Sequence, residues 1–135
     1  MKIQNLRQPE AIIYRNFSLS EYFDEKSFFG RLRDCAEWDD GEYWLFEWAL
    51  YELAPIRKDI IEIDWPVFRI FSYAFLFIGA HFDPNDSFKI LNLDGLDISD
   101  RRERLQLVVE GYFLGVMPNQ AECFSMVNPL IADMG

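Results

Sequence analysis

Few residues in this chain have the type and spacing that chemistry needs. His81 is the only histidine, and the two cysteines, Cys35 and Cys123, are far apart in sequence. A nucleophilic site needs a Ser or Cys within reach of an oriented base, and no Ser or Cys neighbours His81 in the sequence. The same three residues lack the Cys/His spacing of a zinc site. Asp83, Asp86, Asp94, Asp97 and Asp100 invite comparison with a calcium loop. Counted from Asp83, however, the position that requires glycine holds Phe88, and the closing acid is Asp94 in place of a glutamate. Turn formation and helix capping explain such aspartates more simply. No glycine pattern cradles a phosphate. The residues thus point to no catalytic set, no metal and no cofactor, and the chain reads as a non-enzyme.

What is concentrated is acid beside aromatic. Glu37 to Asp64 holds nine carboxylates against Arg57 and Lys58, and all four tryptophans (Trp38, Trp44, Trp48, Trp65) lie in or next to that stretch. A second acidic segment runs from Asp83 to Asp100. The formal net charge of −10 would repel nucleic acid and anionic membranes, and would attract a cationic protein surface. The one basic cluster, Arg101-Arg102-Arg104, sits near a helix start, where cations are disfavoured, which implies that Arg101 or Arg104 pairs with a carboxylate elsewhere. Half the residues are hydrophobic, enough to build a core without disulfides. The residues at the N-terminus carry no apolar run of a secretory signal, and the longest apolar stretch, Ile70 to Ala80, is too short to span a bilayer. The expected location is the cytoplasm, with both thiols reduced.

The elements that position these groups read as helices in one domain spanning residues 1–135. Ser18-Leu19-Ser20-Glu21 resembles a capping box with Phe17 and Tyr22 as its hydrophobic staple, opening a helix or helix pair to about Glu37. Asp39-Asp40-Gly41-Glu42 opens a second helix that stops at Pro55. Asp64-Trp65-Pro66 starts a third, reaching Phe82, and Ser99-Asp100 opens a fourth, reaching about Val116. Pro118-Asn119-Gln120 starts a short fifth that ends by Asn128-Pro129. Ala11 to Arg15 and Ile60 to Ile63 read as short strands or extended leads. The expected fold is mostly α: a compact bundle of about five helices around a central apolar helix, residues 66–81.

The second helix has two apolar faces at a period of 3.6 residues. Leu45, Phe46, Ala49, Leu50 and Leu53 form an ordinary core face. Trp44, Trp48 and Tyr51 lie opposite, between Glu47 and Glu52. Burial inside the bundle is one explanation of the second face. The other is an exposed aromatic patch with an acidic rim, suited to a Lys- or Arg-rich partner. The expected partner-binding residues are then Asp39, Asp40, Glu42, Trp44, Glu47, Trp48, Tyr51 and Glu52, extended by Asp83, Asp86, Asp94 and Asp97.

The run from Trp38 to Glu52, the aspartates from Asp83 to Asp100 and the small acidic single domain together resemble the immunity proteins of bacterial toxin systems, including contact-dependent growth inhibition. The likeness is one of general character over the whole chain. It implies a non-enzymatic inhibitor that binds a cognate, basic toxin domain such as a nuclease and blocks its active site or a neighbouring surface. The alternative is a structural or adaptor subunit, with the second aromatic face buried in a homodimer.

Overall fold

The computed structural model describes residues 8–131, and every regular element among them is helical. The helices are α1 (Gln8–Asn16), α2 (Phe28–Cys35), α3 (Asp40–Leu53), α4 (Asp64–Phe82), α5 (Gly95–Leu114) and α6 (Gln120–Cys123). Two 3-10 turns, Ala54–Asp59 and Ile61–Ile63, join α3 to α4. Part of the N-terminal segment read for a secretory signal, residues 1–7, lies outside the described residues.

The N-terminal third departs from expectation. Residues 11–15 are helical, because Ile12, Ile13 and Asn16 share one buried face of α1. The Ser18–Glu21 capping box does not open a helix; the Ser20 hydroxyl accepts from the Tyr22 N–H (3.0 Å) within a run of turns. The helix is capped nine residues later by Ser27, whose hydroxyl accepts from the Gly30 N–H (3.1 Å). Ser27 prevails because Phe28, Phe29 and Leu32 follow it at core spacing and all three are buried. Asn16 joins α1 to α2. Its amide donates to the Ile12 carbonyl and its oxygen accepts from the Phe29 N–H, each at 2.9 Å.

The helix from Asp64 to Phe82 forms where expected, with Pro66 in its first turn. Asp64 is not its side-chain cap, and instead binds the Arg57 guanidinium through two bonds, at 2.8 and 3.0 Å. Nor is this helix at the centre. Val67, Ile70, Ala74 and Ile78 are buried, but Trp65, Phe68 and Leu76 are exposed. Ile61–Phe82, its lead-in included, is long and apolar enough to cross a membrane by length and composition, a longer span than the uninterrupted run Ile70–Ala80 indicated. The central helix is α3, where Gly41 alone is exposed. It contacts α1, α2 and α5, and Phe28, Trp38, Tyr43 and Phe46 make an aromatic cluster at its N-terminal half. Residues 60–63 end in a 3-10 turn, not a strand.

α5 begins four residues before the expected Ser99, because the Asp94 carboxylate accepts from the Asp97 N–H (2.8 Å) and caps it. It ends at Leu114, where Gly115 takes a left-handed conformation (φ 89°). Gly111 packs closely against the returning loop. A Cβ there would stand 2.9 Å from the Val116 carbonyl oxygen and 2.9 Å from Pro118. Asn119 caps α6 by accepting from the Glu122 N–H (3.0 Å). The chain then continues without helix through Asn128.

Candidate functional site

The surface expected on α3 is covered. Glu47 is fully buried and is the hub of a polar cluster, so it cannot form the rim of an interface. Arg104 of α5 donates to it through Nε (2.7 Å to Oε1) and Nη2 (2.9 Å to Oε2). The Tyr43 hydroxyl (3.0 Å), the Gln120 amide (3.0 Å) and the Asn128 amide (3.0 Å) also donate to its carboxylate. Arg104 reaches further, to the Met126 carbonyl (2.6 Å) and the Gln120 side-chain oxygen (2.8 Å). Its guanidinium lies between the rings of Trp44 (4.6 Å) and Phe124 (4.1 Å). Asn128 closes the cluster onto the Trp44 carbonyl (3.0 Å). Burial draws the Arg104 pKa down, but the hydrogen bonds and charge of Glu47 outweigh it and the net shift is upward. Burial, reinforced by the Glu47 charge, holds the Tyr43 hydroxyl well above the ordinary tyrosine range.

Residues 117–131 therefore lie over the second face of α3. Trp44 and Trp48 are partly buried against the core, and the Tyr51 hydroxyl donates to the Pro118 carbonyl (2.7 Å). Burial pushes the Tyr51 pKa up to about 12. Trp38 is fully enclosed, its backbone held by Asn92 through two bonds of 2.9 and 2.8 Å, and only Trp65 is exposed. The other acids of this segment are largely answered by arginines from elsewhere. Asp40 faces Arg101 (3.3 Å), Glu42 faces Arg15 (3.3 Å), and Asp39 caps α3 while meeting Arg31 (3.5 Å). Glu52 is half-buried. The pairing inferred for the Arg101-Arg102-Arg104 cluster is present in both Arg101 and Arg104.

The second acidic segment stays on the surface. Asp83 accepts from the Asn85 N–H (2.9 Å) and Asp86 from the Phe88 N–H (2.8 Å), the local turns their spacing suggested. Asp94 and Asp97, at the start of α5, are exposed. His81 accepts the Ile90 N–H on Nδ1 (2.9 Å) and so pins the loop between α4 and α5. Cys35 and Cys123 are free and exposed, and no group of three metal-ligating side chains occurs among the described residues.

A stripe on α5 was not anticipated. Its inner face carries Leu105, Val108, Val109 and Tyr112, all buried, and Val116 lies beyond the helix and is exposed. On the outer face, Leu96 (84 % exposed), Asp100, Glu103, Leu107, Glu110 and Leu114 (71 % exposed) follow one another at steps of four and three residues. That spacing holds them on one line of the helix, with leucine and carboxylate interspersed. Beside its middle lies an open cavity of about 120 Å³, between Asp100, Glu103, Leu107 and the Glu47-paired Arg104 on α5 and Cys123, Phe124 and Ser125 of the C-terminal segment. The four-three spacing is legible in the sequence, but it competes with the better apolar stripe one helix face away. The arrangement can hold a long cationic side chain by its charge and by its methylenes. No protein-family model, curated protein or solved structure matches this chain.

Proposed function

We propose that the protein is a non-enzymatic inhibitor that neutralises a basic protein domain, in the manner of a toxin immunity protein, and that it works in the cytoplasm. The surface that serves this role is the outer face of α5 with the segment after α6, and not the second face of α3. The observation that carries the reading is the exposed Leu96–Asp100–Glu103–Leu107–Glu110–Leu114 line. Exposed leucines between carboxylates give contact area and charge together. Asp94, Asp97 and Glu122 extend the negative field around it. Such a field speeds encounter with a cationic partner and repels anionic ones.

The experiment is co-production with the protein encoded immediately upstream. Wild type is expected to protect cells from that protein's C-terminal domain. Replacing Asp100, Glu103 and Glu110 by Lys is expected to abolish protection and slow association; because Asp100 also meets Arg101 (3.8 Å), the Glu103→Lys, Glu110→Lys pair, both exposed, is the variant expected to leave the unfolding midpoint nearly unchanged. Slowing should be greatest at low salt. Protection by the triple variant equal to wild type, with equal association rates at every salt concentration, would overturn the reading.

A further inference from the structure

The outer face of α4 lacks the charged side chains that normally cover an exposed helix. Opposite the buried line Val67–Ile70–Ala74–Ile78, the lead-in residue Ile61 (66 % exposed) and then Trp65 (55 %), Phe68 (50 %) and Leu76 (63 %) line up, with Tyr73 at the edge. Only 33 % of the most apolar window of this segment is buried. Between Asp64 and Asp83, Arg69 is the sole Lys, Arg, Asp or Glu, and its guanidinium lies flat on Tyr73 at 4.1 Å. A protein of net charge −10 has thus left its longest apolar surface almost free of charge.

With a whole aromatic side chain offering roughly 150–250 Å², these exposures sum to on the order of 500 Å² per chain, at the upper end for the largest apolar patch of a monomer. Two such faces brought together would bury about 1,000 Å², the lower threshold for a biological interface and the size of a weak, reversible one. The face is also complementary to itself. Its midpoint is Ser72, a small and half-buried residue. If two copies cross antiparallel with Ser72 on the two-fold axis, Phe68 of each meets Leu76 of the other, and Trp65 meets Gly79. Gly79 is exposed, and nothing stands within 4 Å of where its Cβ would be, so an indole has room there. In a two-fold interface each such large-to-small pairing occurs twice. A cationic partner would find no carboxylate on this line, and an acidic one only Arg69.

We infer that the protein forms a homodimer through α4, with the two helices antiparallel about Ser72. Light scattering and sedimentation velocity of the full chain, from low to high micromolar concentration, should show a monomer–dimer equilibrium. Leu76→Glu should raise its dissociation constant at least ~10-fold, as loss of a central interface anchor does. Gly79→Trp should do the same by filling the notch that receives Trp65. Both positions are exposed, so helicity by circular dichroism should be unchanged. In a Cys35→Ser, Cys123→Ser background, Ser72→Cys should give a disulfide-linked dimer on mild oxidation, because residues on the axis lie within bridging distance. This third variant reads the contact even where a substitution on the stripe disturbs folding. A chain that stays monomeric at all concentrations, a dimer indifferent to both stripe variants, or absence of the Ser72→Cys crosslink would overturn the inference. A monomer that instead binds phosphatidylcholine vesicles, and loses that binding with Leu76→Glu, would also overturn it and assign the face to a lipid surface.

Discussion

Glu47 divides its carboxylate among Tyr43, Arg104, Gln120 and Asn128, and no solvent reaches it. A buried ion pair of this kind is tolerated only when its remaining hydrogen-bonding capacity is met, as it is here. Removing one partner leaves the other charged and buried. Glu47→Ala should therefore destabilise the protein by about 3–5 kcal/mol in urea unfolding. Glu47→Leu combined with Arg104→Met should cost clearly less than the sum of the two single changes, since neither charge is then left alone. Equal and additive losses would show that the two residues act independently. The acid at position 47 was visible in the sequence, but its burial was not. Apart from Tyr43, one helical turn away, its partners lie 57 to 81 residues away, and no local pattern reports a contact of that separation.

At the scale of elements, helix existence and type followed from the pattern wherever a long apolar period met a strong stop signal. α3 ends just before Pro55, and α4 runs from Asp64 to the turn at Asp83. Boundaries failed where two capping residues competed, as Ser18 did with Ser27, and Asp94 with Ser99. The winner in each case was the cap whose following residues could be buried or whose turn could close. The fit of α5 against its own return loop depends on a single missing methyl group. Gly111→Ala should cost about 1–3 kcal/mol, because the added carbon meets backbone at Val116 and the Pro118 ring. A chemical-denaturation midpoint equal to wild type would show that the loop moves aside freely. The swap of roles between α3 and α4 is also an element-level result. Apolar residues all round α4 implied a central helix, yet α3, with more charge, is the one enclosed. Glu47 could be buried because Arg104 comes to meet it, while Arg15, Arg31 and Arg101 answer Glu42, Asp39 and Asp40, which stay partly exposed.

For the molecule as a whole, pairing sets where the negative field lies. The sequence places the strongest excess of acid between Glu37 and Asp64, but folding answers Asp39, Asp40, Glu42, Glu47 and Asp64 with arginine, so that the loop before α5 and α5 itself carry the field together with the exposed Glu37, Asp59 and Glu62. Four tyrosines, Tyr14, Tyr43, Tyr51 and Tyr112, bind their protons more tightly in the fold than in the unfolded chain, in each case first through burial. Their contribution to stability is complete below the ordinary tyrosine pKa near 10 and is lost as pH rises through that value toward the raised ones, since the unfolded chain then releases protons the native state retains. The thermal midpoint should consequently fall as pH rises above about 10. Tyr43→Phe and Tyr112→Phe should each flatten that fall, as measured by calorimetry across alkaline pH.

By itself the sequence determined the helical class, the main helices and the overall sign of the charge, because these depend on residue type and on periods of a few residues. It also implied partners for Arg101 and Arg104, from the awkwardness of cations near a helix start. Only tertiary structure decided which apolar face is covered and which carboxylates remain free. Those outcomes turn on where the segment after α6 lies and on ion pairs between residues distant in the chain. Residues 117–131 meet Trp44 and Tyr51 while Trp65, Phe68 and Leu76 stay exposed, although the residue types on the two faces are much the same.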